Sequence, residues 1–167
     1  MRKTLWHVGL STAVVLLMST SAYAQIATQP ITATAVVGAR GRITLTGTIN
    51  FPDTDPFTNP TINAAGLTVQ ALARVAVGAG VSLTVQAGGN FVSPGGDAIP
   101  IGNLTWGTAG DTGFNATGTM SSAAAQPVGN WTGPGAHNAT QTYTLVNDWA
   151  YAPGNYSVTL TYTLTSP

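Results

Sequence analysis

The chain has 167 residues, of which 44% are hydrophobic and only 6% are charged, and its formal net charge is zero. It contains no cysteine, which excludes disulfides, thiol catalysis and zinc sites built on thiolates. Its 5 basic residues are too few to form the phosphate-neutralising patch of a nucleic-acid-binding protein.

The first residues have the pattern of an export signal. Arg2 and Lys3 precede an apolar run over residues 5–18, which is too short to span a bilayer, and Ala22-Tyr23-Ala24 is an A-x-A cleavage site. We therefore expect a signal peptide at 1–24 and one exported domain at 25–167, with an uncleaved anchor as the alternative. Since no second long apolar run follows, we expect no transmembrane span after cleavage and a location outside the cell or on its surface, reached through the periplasm.

Alternation of apolar and polar residues is the main structural signal in the mature chain, and this spacing predicts β-strands with one buried face. It recurs over residues 31–37, 43–51, 67–77, 81–85 and 99–106, from residue 143 onward, and over 156–164. Gly- and Pro-rich turns such as "SPGGD" and "APGN" separate these runs. The sequence predicts an all-β fold, an antiparallel immunoglobulin-like β-sandwich of about seven strands.

Two regions are harder to assign. Residues 64–77 contain several good helix formers, but their β-branched residues and odd-numbered apolar positions favour a strand. Residues 107–141 are dominated by Gly, Ala, Ser, Thr and Asn, which predicts a long loop region with one or two short strands.

The sequence gives no support for catalysis. His137 is the single histidine of the mature chain, no G-x-S-x-G motif occurs, and glutamate is absent. We expect no enzyme activity, no cofactor and no metal site. Asp53 and Asp55 in "PDTDP" form the only close carboxylate pair; we interpret them as turn residues, with a calcium site as the alternative.

Aromatic residues near the predicted turns are candidates for ligand binding. Trp131, Trp149 and Tyr151 together would make a platform for a sugar or another protein, or would fill the ends of the sandwich. Trp106 follows a strand-like pattern and is predicted to lie in the core.

The strongest alternation lies at the two ends of the mature chain. The apolar positions are Ile31, Ala33, Ala35 and Val37 at the amino end, and Tyr156, Val158, Leu160, Tyr162 and Leu164 at the carboxyl end. An edge strand with unpaired N–H and C=O groups needs protection, and a terminal strand that completes the sheet of a neighbour provides it. The alternative is that both strands pair within one molecule.

Three stretches, together with the lack of cysteine, resemble the Cys-free alpha-type (class-5-like) chaperone–usher pilins of fimbriae. They are "ITATAVV" after the cleavage site, "IPIGNLTWG" in mid-chain and "APGNYSVTLTYTLTSP" at the end. The resemblance implies a donor strand within 25–37 that carries Ile31, Ala33, Ala35 and Val37. It also implies that the carboxyl-terminal strand lines a groove filled by the next subunit or covered by a periplasmic chaperone.

A second resemblance is to the WxL domain of cell-wall surface proteins. "YSVTLTYTL" is similar to the terminal strand of that family, with Tyr162 at the position of its second tryptophan. Two functions therefore stay open. One is an exported structural or adhesive subunit that self-associates by strand exchange. The other is a monomeric, non-catalytic module that binds glycan or cell wall.

Overall fold

The computed structural model describes Gln29 and residues 31–167. The predicted signal peptide and the first residues of the predicted donor strand lie outside this range. The chain divides into two units, Met1–Ala35 and Val36–Pro167, and every described strand belongs to the second. Among the described residues, no helix is both long and apolar enough to cross a membrane.

Strands dominate the described chain, and all of their pairings are antiparallel. They are β1 (Arg40–Thr46), β2 (Thr61–Asn63), β3 (Leu67–Arg74), β4 (Gly80–Ala87), β5 (Phe91–Val92), β6 (Ala98–Ile99), β7 (Leu104–Gly110), β8 (Thr117–Thr119), β9 (Gln126–Thr132), β10 (Gly135–Val146) and β11 (Leu160–Thr165). One 3-10 turn, Ile101–Asn103, lies between β6 and β7. The predicted all-β class is confirmed. Seven strands have six or more residues, and the other four have two or three.

The strands form two main sheets that pack as a sandwich. Sheet A has the order β1-β3-β10-β7-β8, with β2 also paired to β10, and sheet B has the order β11-β4-β9. A small third sheet consists of β5 and β6. Alternate residues of the long strands point between the sheets, as the period-two pattern predicts. The innermost apolar residues are Val69, Leu83, Val85, Leu104, Val128 and Tyr143, all fully buried.

One side of the sandwich is closed by backbone hydrogen bonds. Residues 113–115, which follow β7 of sheet A, run beside β9 of sheet B. The N–H of Asn115 donates to Val128 O at 2.7 Å, and the N–H of Asn130 donates to Gly113 O at 2.8 Å. Phe114 and Gly129 form an antiparallel bridge between these two bonds. The edge of β9 is therefore satisfied, and the core is sealed on this side.

Several assignments made from the sequence can be compared with the strands. Residues 67–74 form β3, so the strand interpretation of residues 64–77 is confirmed over most of its length. The prediction of a mostly looped stretch over 107–141 is wrong, since it contains β8, β9 and part of β10, which is the longest strand. The alternation there was hidden because the inward positions are taken by Ala139 and the polar Gln141.

A test of the packing uses two glycines of the β7–β8 pair. A methyl group at Gly118 would overlap the indole ring of Trp106, which is 2% exposed, whereas nothing lies within 4 Å of one at Gly107. Gly118→Ala should therefore lower the free energy of unfolding by about 1–3 kcal/mol through overpacking. Gly107→Ala is the matched control and should cost less. Urea denaturation of both variants measures this, and equal losses would contradict the packing described here.

Candidate functional site

The second side of the sandwich is bordered by β1 of sheet A and β11 of sheet B, and we call the gap between them the seam. Both are terminal strands of their sheets, and no described strand pairs with the outer edge of either. On β11, the side facing β4 and β5 is used: Gly88 N–H donates to Thr159 O at 2.9 Å, and Ser157 exchanges two 3.1 Å bonds with Val92. In an antiparallel ladder, alternate residues bond to opposite sides. The N–H and C=O groups of Val158, Leu160, Tyr162 and Leu164 therefore point into the seam.

The side chains along this edge point to the core without being fully covered. Tyr156, Val158, Leu160, Tyr162 and Leu164 all pack against the buried cluster but stay half-buried, while the residues between them are exposed. These are the five residues that the sequence assigned to the carboxyl-terminal strand. Regular β11 begins only at Leu160, and Ser157 forms an isolated bridge before it.

On the opposite wall, β1 presents its inward face to β11. Gly41, Ile43 and Leu45 are opposite the buried positions of β3 and therefore point inward. A Cβ at Gly41 would lie 3.2 Å from Cδ2 of Leu164, so the two walls meet at this end. Leu45, further along β1, is 44% exposed although it faces the core. The core is therefore covered at the Gly41 end of the seam and becomes more exposed towards the other end.

A cavity of about 970 Å³ occupies the open end of the seam, which we call the mouth. Its floor includes the core residues Phe91, Ile99, Leu104 and Leu145, and its walls include Ile49, Phe51, Tyr156, Val158 and Leu160. At the mouth it is bordered by Asp53, Asp148, Trp149 and Tyr151. A space of this volume that reaches core side chains leaves apolar surface in contact with water, which disfavours an empty state.

A buried polar cluster ties β11 to sheet A beneath the seam. The hydroxyl of Tyr162 donates to Oε1 of Gln141 and lies 2.5 Å from the hydroxyl of Tyr143. Gln141 and Tyr143 are fully buried on β10, and Nε2 of Gln141 has no partner in the described chain. Burial raises the pKa of both tyrosine hydroxyls, and in Tyr162 the neighbouring Tyr143 raises the pKa further. The cluster fixes the position of β11 across the core.

The predicted donor segment is exposed. Residues 31–39, which we call the arm, contain no strand or turn and lead directly into β1 at Arg40. Ile31 is 95% exposed and Val36 is 100% exposed. The arm therefore forms no strand in the described chain, and a role as donor strand for Ile31, Ala33, Ala35 and Val37 stays a prediction.

The three candidate ligand aromatics do not lie together. Trp149, which is 73% exposed, and Tyr151 both border the mouth, and the hydroxyl of Tyr151 accepts a 2.6 Å bond from Asn103. The Trp131 ring instead stacks on His137 near the start of β10, with ring centroids 4.4 Å apart. From His137 to Val146 the strand runs about 30 Å. The three residues therefore do not form a single platform, and only Trp149 and Tyr151 lie at the same site.

The remaining polar candidates have local partners. Asp55 Oδ1 accepts the N–H of Phe57 at 2.9 Å, as expected for a turn residue. His137 Nδ1 lies 2.8 Å from Asp111 Oδ2, and hydrogen bonding from the N–H of Gly113, with a further contribution from His137, holds the pKa of Asp111 below its usual value. Within the described residues, no three His, Cys, Asp or Glu side chains group as metal ligands do, so the calcium interpretation of Asp53 and Asp55 gains no support.

Comparisons with known proteins add no identification. The chain matches no protein-family model and no curated protein.

The polar cluster provides a test at the seam. Tyr162→Phe removes the closer of the two hydroxyl donors to Gln141 Oε1 and leaves it the 3.5 Å bond from Tyr143. The substitution should lower the free energy of unfolding by about 0.5–1.5 kcal/mol. Tyr151→Phe removes a hydroxyl whose partner, Asn103, lies outside this cluster, and it should lower the free energy of unfolding by less. Urea denaturation of the two variants at neutral pH gives the comparison.

The same cluster predicts a pH dependence. Because the pKa values of Tyr143 and Tyr162 are raised in the folded protein, their contribution is complete at neutral pH. It should be lost as the pH rises above about 10, where tyrosines of the unfolded chain ionise. The urea concentration at the unfolding midpoint should decrease as the pH is raised from about 9 to about 11, one unit on either side of that value. The decrease should be smaller in Tyr162→Phe, which lacks one of the two hydroxyls. Parallel curves for the two proteins would contradict this role.

Proposed function

We propose that the protein is an exported structural or adhesive surface subunit that self-associates by strand exchange, the arm of one copy filling the seam of the next. The observation that carries this proposal is the outer edge of β11, which no strand of the described residues pairs with, above a cavity that reaches the core. An edge strand with free N–H and C=O groups and half-covered apolar side chains needs one further strand. Strand addition satisfies both requirements at once.

The arm has the length and pattern of such a strand. Residues 31–37 would extend about 20 Å, and the edge from Tyr156 to Leu164 about 26 Å. Ile31, Ala33, Ala35 and Val37 would share one face, because side chains alternate along a strand. The small alanines suit the middle of a groove whose walls already carry Tyr162 and Leu164, and the larger Ile31 and Val37 would provide most of the apolar contact.

Before coverage of the cavity is counted, the energetic terms of insertion are close to balance. Burial of Ile31 and Val37 contributes about 1.5–3 kcal/mol each, and each alanine methyl contributes about 0.8 kcal/mol. The new ladder hydrogen bonds contribute about 0.5–1.5 kcal/mol each. Ordering the arm costs about 1–2 kcal/mol per residue. Insertion would also cover the hydrophobic floor of the cavity, which makes the free energy of filling the seam more favourable than the contributions of the arm alone.

The remaining parts of the proposal follow from the predicted export signal and the exposed seam. A subunit of this kind would pass through the periplasm before it reaches the cell surface, and its unfilled seam would need cover on the way. A periplasmic chaperone that adds a strand to β11 would supply that cover by the same backbone contacts. Nothing in this function requires a cofactor or a catalytic residue.

A second function, a monomeric module that binds glycan or cell wall, is supported by the mouth of the seam. Trp149 is exposed there beside Tyr151, with Asp53 and Asp148 nearby. Aromatic rings with neighbouring hydrogen-bonding groups are the usual components of a sugar site. This function needs neither the arm nor a second copy.

The strand-exchange proposal predicts that the inward face of the arm is required for assembly. Ile31→Asp with Val37→Asp would place two charges against the apolar floor of the seam and should leave the mature protein monomeric. Thr32→Asp with Val36→Asp is the matched control, because both residues lie on the opposite face of the arm. Size-exclusion chromatography and electron microscopy of the mature chain at high concentration measure the outcome.

Two results would overturn strand exchange. One is a mature protein that stays monomeric at all concentrations tested. The other is assembly that survives both the aspartate pair and deletion of residues 25–37.

The glycan-binding alternative predicts a different signal. Titration with a panel of sugars and peptidoglycan fragments should change tryptophan fluorescence in the wild-type protein and in Trp131→Phe, but not in Trp149→Phe, because only Trp149 borders the mouth. A response that depends on Trp131 instead would place the binding site elsewhere, and no response across the panel would remove the support for this function.

A further inference from the structure

The mouth of the seam carries negative charge. Asp53 and Asp148 border its cavity and are exposed, whereas no basic side chain of the described residues lines it. Nδ2 of Asn147 donates to Thr54 O at 3.0 Å, which ties the loop after β1 to the end of β10 and holds the two carboxylates near each other. The basic side chains of the described residues lie on β1, β3 and β10; they are Arg40, Arg42, Arg74 and His137.

These basic residues are too far away to neutralise the mouth. Arg42 pairs with Leu72, and Leu72 pairs with Ala136 on β10. From Ala136 to Val146, where β10 ends at the mouth cavity, the strand runs about 33 Å. Charges in salt solution interact strongly only within about 8 Å at physiological ionic strength. A cation at the mouth would therefore be attracted by the carboxylates without being repelled by the arginines.

Beneath the carboxylates the cavity is apolar. Its volume of about 970 Å³ is within the range of small-molecule sites. Its floor reaches the buried side chains of Phe91, Leu104 and Leu145. The wall from Tyr156 to Leu160 is half-buried at its inward positions and about 13 Å long, which is enough for a decyl chain to lie along it. An alkyl chain in this place would displace water from apolar surface.

An exposed aromatic ring lies beside the carboxylates. Trp149 is part of a turn in which Asp148 Oδ1 accepts the N–H of Ala150 at 2.9 Å and Asp148 O accepts the N–H of Tyr151 at 3.2 Å. This turn places the indole and the Asp148 carboxylate at the same edge of the cavity. The face of an aromatic ring attracts organic cations, and quaternary ammonium groups are the usual ligands of such sites.

From these three features we infer that the mouth is a binding site for a single-chain alkylammonium amphiphile. Its cationic head lies by Asp53, Asp148 and Trp149, and its alkyl chain lies along the apolar floor. An anionic amphiphile would have its head against the carboxylates, and a sugar would leave the floor uncovered. A lipid that stays in its bilayer is a different partner, because its chains would remain in the membrane and could not reach Leu104.

This inference does not depend on strand exchange. A copy whose arm never fills a seam has an open mouth, and the site needs only residues of that copy. The floor is also a surface that an inserted arm would cover, so the amphiphile and the arm would compete for it. The ligand is therefore best tested in the mature chain with Ile31→Asp and Val37→Asp, in which the inward face of the arm is charged.

A ligand series tests the chemistry of the site. Isothermal titration calorimetry at low salt compares decyltrimethylammonium, octyltrimethylammonium and decyl sulfate, each kept below the concentration at which it forms micelles. Decyltrimethylammonium should bind about tenfold more tightly than decyl sulfate, because the two heads differ in the sign of their charge. It should bind about fifteenfold more tightly than octyltrimethylammonium, since each buried methylene contributes about fourfold.

Substitutions in the same chain locate the site. Asp53→Asn/Asp148→Asn keeps the size of both side chains and should weaken decyltrimethylammonium binding about threefold to tenfold while decyl sulfate binds more tightly. Thr140→Lys/Thr142→Lys, on the exposed outer face of β10, changes the net charge by the same amount and should leave both affinities unchanged. Trp149→Leu should weaken binding of the cation about twofold to fivefold through loss of the ring.

Several results would overturn the inference. They are equal affinity for decyltrimethylammonium and decyl sulfate, equal affinity for the octyl and decyl cations, wild-type affinity in Asp53→Asn/Asp148→Asn, and no binding of any of the three probes. Co-sedimentation with phosphatidylcholine vesicles without binding of the free amphiphile would also overturn it, because the partner would then be a membrane surface. None of these results bears on strand exchange, which is decided by the oligomeric state of the mature chain.

Discussion

The constraint behind this structure is that every backbone N–H and C=O group at the edge of a sheet needs a partner. On one side of the sandwich the chain provides it, since residues 113–115 cross between the sheets and bond to β9. On the other side, no described strand pairs with the outer edge of β1 or β11. The incomplete side is also where the core reaches solvent. The edge backbone groups and the exposed apolar side chains therefore lie together, and one added strand would cover both.

This asymmetry explains why the polar cluster under β11 matters. An edge strand held by one neighbour can shift its register, which would move all of its side chains to the other face. Tyr162 is bonded to Gln141 and lies beside Tyr143 on the opposite sheet, and this contact fixes β11 across the core. The edge is thus held in one position while its outer side stays available. A fixed edge with free hydrogen-bonding groups is suited to strand addition by another chain.

The proposed assembly and the glycan alternative concern one surface, but they use different parts of it. Strand exchange uses the length of the seam, and a sugar would use the aromatic residues of the mouth alone. Because Trp149 and Asp148 are neighbours at that mouth, a filled seam would change the surroundings of the aromatic site. Glycan binding and assembly are therefore linked in any account that includes both.

Much of this protein can be predicted from its residue pattern. Alternating apolar positions determined the class of fold, the strands β3 and β4, the burial of Trp106 and the inward face of Tyr156 to Leu164, because strand geometry is local and has a period of two. The sequence also indicated that the two terminal segments are the strands in need of a partner sheet. It missed β9, where a register shift against β4 interrupts the alternation, and most of β10, whose inward positions before Tyr143 are the small Ala139 and the polar Gln141.

Only the tertiary structure decided which edges stay open, because that depends on the order of strands in the sheets and not on any one strand. It separated Trp131 from Trp149 by the length of β10, and it brought Asp148, which is far along the chain, beside Asp53. It also buried Gln141, whose role follows from two tyrosines on different sheets. Such contacts join residues distant in sequence, so their positions follow from packing, whereas the alternation along each strand follows from the local residues.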